Sequence, residues 1–155
     1  MQLKIGDVAP NFTVVDTDKN IFSLSEYKGR NLVLLFFPFA YTSVCTEELC
    51  SVRDNMNVYS NLNAEVLAIS VDSPFTLGKF KEDQGFNFRV ASDFNKTAFP
   101  AYGAAYDEFV LGLEGVAKRS AFVIDKEGII RYAEVLDIAK DIPNFAAIQE
   151  TLSNL

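Results

Sequence analysis

The segment PFAYTSVCTEELC, residues 38–50, carries both cysteines of the chain, Cys45 and Cys50. A close thiol pair can attack an electrophile, exchange disulfides or hold a metal, and each of these uses the sulfur as thiolate. The chain contains no histidine. That excludes Ser-His-Asp and Cys-His catalysis and any histidine-based zinc site. Activation of a sulfur here has to come from charge and dipole.

The local sequence offers both. Thr42 is a candidate N-cap, its hydroxyl able to accept from a free N–H two or three residues on. Cys45 then falls in the first helical turn, where unpaired N–H groups and the positive end of the helix dipole favour an anion. Glu47 and Glu48 oppose this, because nearby carboxylates disfavour a second negative charge. A cation would settle the balance, and Arg119 is the candidate. If SAFVID (residues 120–125) runs antiparallel to Leu32–Phe37, its first residues lie at the same sheet edge as Cys45. Arg53 is worse placed, ~12 Å along the helix at the standard rise. Residues five apart in an ideal helix have Cα atoms ~8.7 Å apart, beyond the ~7 Å limit for a disulfide. A bond between Cys45 and Cys50 therefore requires the first turns to unwind. Read structurally, Cys50 is a buried helical thiol that needs no chemistry.

Positioning these residues requires a framework, and the apolar periodicity supplies one. Phe12–Val15 and Ile21–Leu24 flank the turn-rich DTDKN and read as an N-terminal hairpin, followed by a loop over Ser25–Asn31. Leu32–Phe37 is an uninterrupted apolar run, the signature of a central strand buried on both faces, and Pro38 stops it. Val44, Leu49, Val52, Met56 and Tyr59 form one helical stripe, predicting a single helix over 43–61. Strands follow at Glu65–Val71 and Phe88–Ala91, with a helix over Pro74–Gln84 between them that Gly85 ends. Ser92–Pro100 reads as a loop with one helical turn. Ser120–Asp125 and Ile129–Glu134 form a late hairpin, and Pro143–Leu152 a final amphipathic helix. This order predicts an α/β fold, a central mixed sheet flanked by helices on both faces. Ligands in such sheets bind at the carboxyl ends of the parallel strands, where Leu32–Phe37 hands over to Cys45.

At 155 residues the chain suits one domain, 1–155. Its net charge of −7 argues against a nucleic-acid backbone or an anionic membrane as partner. The N-terminus lacks a signal-peptide pattern, and the longest apolar run is about half of the ~20 residues a membrane helix needs. A cytoplasmic protein is expected, where a close thiol pair is reactive or metal-binding rather than a structural staple.

Pro38, Thr42 and Cys45 form the pattern Pro-x-x-x-Thr-x-x-Cys after a buried strand, with Arg119 just before SAFVID. On these residues, and on IGDVAPNF, YKGRNLVLLFFP and KRSAFVIDKEGIIRYAE, nearly the whole chain resembles a peroxiredoxin. The resemblance implies a thioredoxin-like fold and reduction of hydrogen peroxide, organic hydroperoxides and peroxynitrite with no metal or other cofactor. It casts Cys45 as the peroxidatic cysteine, which attacks the O–O bond and becomes a sulfenic acid. Thr42 would hydrogen-bond the peroxide, Arg119 stabilise the thiolate and polarise the peroxide, Pro38 shield the sulfur from water, and Glu48 hold Arg119 in place. Cys50 resembles the resolving cysteine of the bacterioferritin-comigratory-protein (PrxQ) subfamily, which forms an intramolecular disulfide. PFAYTSVC is also similar to the one-cysteine alkyl hydroperoxide reductase E type, and Ser43-Val44 stands where PrxQ proteins usually have Pro-Gly. Thioredoxin, glutaredoxin or a related reductase would regenerate the enzyme, as monomer or homodimer. Rival readings are a thioredoxin-type disulfide reductase, which would want Cys-x-x-Cys, a metal module, which would need two further ligands, and a non-catalytic binding domain on the same fold.

Overall fold

The structure, a computed structural model, describes residues 2–155. Its seven strands are β1 (Thr13–Asp16), β2 (Ile21–Ser23), β3 (Asn31–Phe36), β4 (Ala64–Ser70), β5 (Arg89–Ser92), β6 (Ser120–Ile124) and β7 (Ile130–Val135). Four α-helices are α1 (Ser43–Asp54), α2 (Met56–Asn61), α3 (Pro74–Gln84) and α4 (Phe145–Ser153). The sheet order is β2-β1-β5-β4-β3-β6-β7. All six residues of β3 are buried, as the apolar run requires of a central strand. β3, β4 and β5 are parallel, whereas β6 runs antiparallel to β3 with Phe36 opposite Ser120. Both predicted hairpins form, β1 with β2 and β6 with β7.

Alternate residues of β3 feed two cores. Leu32, Leu34 and Phe36 face one side with Leu67, Ile69 and Phe122, while Val33 and Leu35 face the other with Val66, Ala68 and Val123. All four α-helices pack on the second side, through Leu49, Val52, Tyr59, Leu77, Phe80, Ile148 and Leu152. The first side is closed by the N-terminal segment and the 3-10 turn Phe99–Tyr102. The sheet is flanked by helices, but not by α-helices on both faces. The reason is topological: two successive right-handed crossovers step from β3 to β4 and β4 to β5 in one direction, which leaves α1 and α3 on one face.

The predicted helix over 43–61 is broken at Asn55. Asn55 bends to φ −116°, ψ 16°, its amide donates to the Ser51 carbonyl at 2.8 Å, and its N–H reaches back only to Val52. An asparagine side chain competing for backbone groups is a common interruption of a helix. α3 follows its sequence signals: the Ser73 hydroxyl accepts from Thr76 N–H, Pro74 opens the first turn, and Gly85 ends it with φ 61°. No helix among the described residues is long and apolar enough to cross a membrane.

Candidate active site

β3 ends at Phe36, and the chain crosses Phe37 and the buried Pro38 before α1 begins at Ser43. This crossing is pinned. Ala40 N–H donates to Asp72 Oδ2 at 2.8 Å, and the Ser70 hydroxyl holds the same carboxylate oxygen at 2.7 Å. Tyr41 takes a left-handed φ of 66°, a conformation costly for a bulky residue. Its hydroxyl donates to Asp83 Oδ2 at 2.8 Å and its ring lies 5.0 Å from that of Phe80. The hydroxyl is pushed up to about 12, through desolvation and the adjoining Asp83 carboxylate.

Thr42 stands at the N-cap of α1, with extended backbone and a carbonyl that accepts from Thr46 N–H at 3.0 Å. Its hydroxyl does not cap the helix. It turns back and donates to the Phe39 carbonyl at 2.9 Å, because the left-handed turn at Tyr41 brings that acceptor within reach. The first N–H groups of α1 are therefore left without a side-chain cap.

Cys45 is fully buried in the first turn of α1. The antiparallel register of β3 and β6 places Arg119 at the same edge, as the sequence argument requires, and Arg119 Nη1 lies 3.1 Å from Cys45 Sγ. The same nitrogen donates to Glu48 Oε1 at 2.8 Å, one turn along the helix. Glu48 and Arg119 are thus a buried ion pair, not solvated helix charges. Arg119 Nη2 donates to the Ala139 carbonyl at 2.9 Å, and Arg119 O accepts from Leu136 N–H. The segment after β7 therefore fixes the guanidinium, a contribution the sequence does not announce. Burial pushes the Glu48 carboxyl up to about 7, against the pull of Arg119. Arg119 is held above its ordinary value despite burial, by the charges of Cys45 and Glu48.

Cys50 is half-buried, and Sγ donates to Gln84 Oε1 at 3.5 Å. Both thiols are free, in one unbroken helix. Arg53 points away from Cys45 and binds the Gln84 carbonyl through Nη1 at 2.5 Å. Among the described residues no group of three acidic or thiol side chains could hold a metal. Phe39 packs on Phe109, and the exposed Phe94 lies beside β1. A cavity of about 240 Å³ lined by Val8, Leu24, Tyr27 and Ile124 opens at the other end of β3 from Cys45.

Comparison with known proteins gives the family and the fold. The AhpC/TSA family matches residues 5–133. The chain is 38% identical over 136 residues to alkyl hydroperoxide reductase E of Mycobacterium tuberculosis, covering 86% of each. It is 33% identical over 132 residues to peroxiredoxin Bcp of Escherichia coli, covering 84% of each. Among solved structures, peroxidoxin BcpB of M. tuberculosis superposes with a TM-score of 0.87 at 27% identity, over 99% of both chains. The chain belongs to the AhpC/TSA family of peroxiredoxins and is a thiol peroxidase with a thioredoxin-like fold.

Proposed function

We propose that Cys45 is the peroxidatic cysteine and that Cys50 resolves it. The observation that carries the reading is the 3.1 Å contact from Arg119 Nη1 to the buried Cys45 sulfur at the start of α1. The guanidinium stabilises a thiolate and remains available to an oxygen placed on that sulfur. The Cys45 thiolate attacks the nearer peroxide oxygen: an S–O bond forms, the O–O bond breaks, and the departing oxygen leaves as water or an alcohol after taking a proton. Charge developing on the two oxygens meets donors already in place, Arg119 and the uncapped N–H groups of α1. The Thr42 hydroxyl spends its proton on Phe39 O and so offers a lone pair to the peroxide O–H. Pro38 keeps water from the sulfur, and Glu48 sets the orientation of Arg119.

In the second half of the cycle α1 unwinds, and Cys50 Sγ attacks the Cys45 sulfenic acid. A disulfide forms and water leaves. An external dithiol of the thioredoxin or glutaredoxin type returns both thiols, in a reducing cytoplasm. The contact of Cys50 with Gln84, in the same continuous helix as Cys45, favours one competing reading: a one-cysteine enzyme whose sulfenic acid meets an external thiol directly.

The test is peroxide consumption by the wild type and by Cys45→Ser with a thioredoxin system as reductant. Turnover that vanishes only with Cys45 supports the proposal. Turnover that survives the substitution refutes it.

A further inference from the structure

Three ionisable side chains meet where α1 leaves the sheet, and their charges do not cancel if all are ionised. Cys45 and Glu48 are both fully buried, one turn apart on α1. Arg119 is the one cation buried among the described residues. Its Nη1 lies 3.1 Å from Cys45 Sγ and 2.8 Å from Glu48 Oε1. The neighbouring Lys118 is partly exposed and pairs with Asp137 at 2.8 Å. A thiolate and a carboxylate on one guanidinium leave a net negative charge out of water, which costs more than keeping a proton on one of the two acids.

The carboxyl is the member placed to hold that proton. Glu48 Oε2 is buried and has no hydrogen-bond partner among the described residues. An ionised oxygen without a donor is costlier than a neutral hydroxyl in the same place. Cys45 stands in the first turn of α1, whose N–H groups carry no side-chain cap, and it faces the guanidinium as well. Two anion-favouring elements therefore converge on the sulfur, whereas Glu48 is served only by the nitrogen it shares. Burial raises the Glu48 carboxyl to about 7 against the pull of Arg119, in agreement with this division. The remaining titratable groups lie outside the trio: Glu47 is exposed on the same helix, and Tyr106, Lys118 and Asp137 stand on the side of Arg119.

Resting on the peroxidase reading above, we infer that Glu48 is the charge-balancing acid of peroxide reduction, protonated while Cys45 is a thiolate and ionised once Cys45 is a sulfenic acid. In the oxidising step an electron pair of the thiolate forms the S–O bond and the O–O bond breaks. The proton that leaves Glu48 ends on the departing oxygen. Sulfur loses its negative charge as it becomes S–OH, and the carboxyl gains that charge. Thiolate, carboxyl and hydroperoxide go in; sulfenic acid, carboxylate and water or an alcohol come out, with no net proton drawn from solvent. The pocket holds one cation and one anion before and after, and Arg119 Nη1 changes its charged partner from sulfur to carboxylate. Return of the thiolate by the reductant reloads Glu48 with a proton.

The experiment follows one oxidation of Cys50→Ser, which lacks the resolving thiol, by equimolar hydrogen peroxide at a pH below the Glu48 value. Infrared difference spectra, oxidised minus reduced, are recorded for this protein and for Glu48→Gln in the same background. An indicator dye in weak buffer counts the protons taken up. With Glu48 in place the C=O band of a protonated carboxyl should be lost and no proton consumed. Glu48→Gln should show no such loss and should consume one proton for each sulfur oxidised. Oxidation of Cys45 that leaves the carboxyl band unchanged, or that consumes one proton with Glu48 in place, overturns the inference alone, whether or not Glu48→Gln folds. Loss of the same band in Glu48→Gln also overturns it. A Cys45 that peroxide does not oxidise overturns the peroxidase reading, and the inference with it.

Discussion

One nitrogen of Arg119, Nη1, lies 3.1 Å from Cys45 Sγ and 2.8 Å from Glu48 Oε1. The cation that serves the sulfur is the cation that neutralises the buried carboxylate. On the proposed mechanism, in a chain without histidine this three-membered arrangement stands in place of a general base: a fixed charge serves the sulfur, and Glu48, a neighbour of Cys45 on the same helix, holds the charge.

Removing the guanidinium should therefore cost reaction rate above all. Arg119→Met is expected to lower the second-order rate constant with peroxide by about 10²-fold, the scale for losing one preorganised donor. Arg119→Lys recovers part of this, because an ammonium restores charge but not the fork that spans Cys45, Glu48 and Ala139. Stopped-flow oxidation of the three proteins measures it.

Glu48 gives stability a pH slope. Its carboxyl is pushed from an ordinary 4.5 up to about 7 in the folded chain, by burial. Between these values the folded protein keeps a proton that the unfolded chain has released, so stability falls as pH rises through that window, by on the order of 3 kcal/mol. Below the window both states are protonated and the penalty is absent; above it the penalty is constant. Urea midpoints across this range should show the slope in the wild type and a flatter line in Glu48→Gln.

Thr42 is expected to act through one lone pair. Thr42→Val should lower the rate with peroxide by about tenfold or more, the scale of a hydrogen bond to a charged partner. Thr42→Ser, which keeps a hydroxyl able to donate to Phe39 O, should stay close to the wild type.

Three side chains tie α1 and the crossing before it to the end of α3: Tyr41 to Asp83, Cys50 to Gln84 Oε1 and Arg53 to Gln84 O. Unwinding of α1 must break these ties. Tyr41→Phe and Gln84→Ala should each speed conversion of sulfenic acid to disulfide severalfold, read by acid quench and mass spectrometry. Far-UV circular dichroism should show helix lost on oxidation of the wild type.

Much of this was legible in the residues. The apolar run from Leu32, the stripe from Val44 to Val52 and the antiparallel placement of SAFVID were sufficient to bring Arg119 to Cys45. What escaped was set by long-range partners. The resemblance set Glu48 beside Arg119, but its burial was not legible, and only that tertiary burial makes it a titrating group near neutrality. The Thr42 hydroxyl turned from the helix because Tyr41 is left-handed, a backbone state that tyrosine does not advertise. Helices on both faces were expected from alternation alone, whereas the direction of two successive crossovers decides the face.

The account stands most directly on the fate of two sulfurs. Peptide mapping without reductant, after an equimolar amount of hydrogen peroxide, should find Cys45 linked to Cys50 in the wild type and a trappable sulfenic acid at Cys45 in Cys50→Ser. A Cys45 sulfenic acid in both proteins beside a free Cys50 thiol would contradict resolution by Cys50. An unmodified Cys45 in both would contradict the peroxidatic role itself.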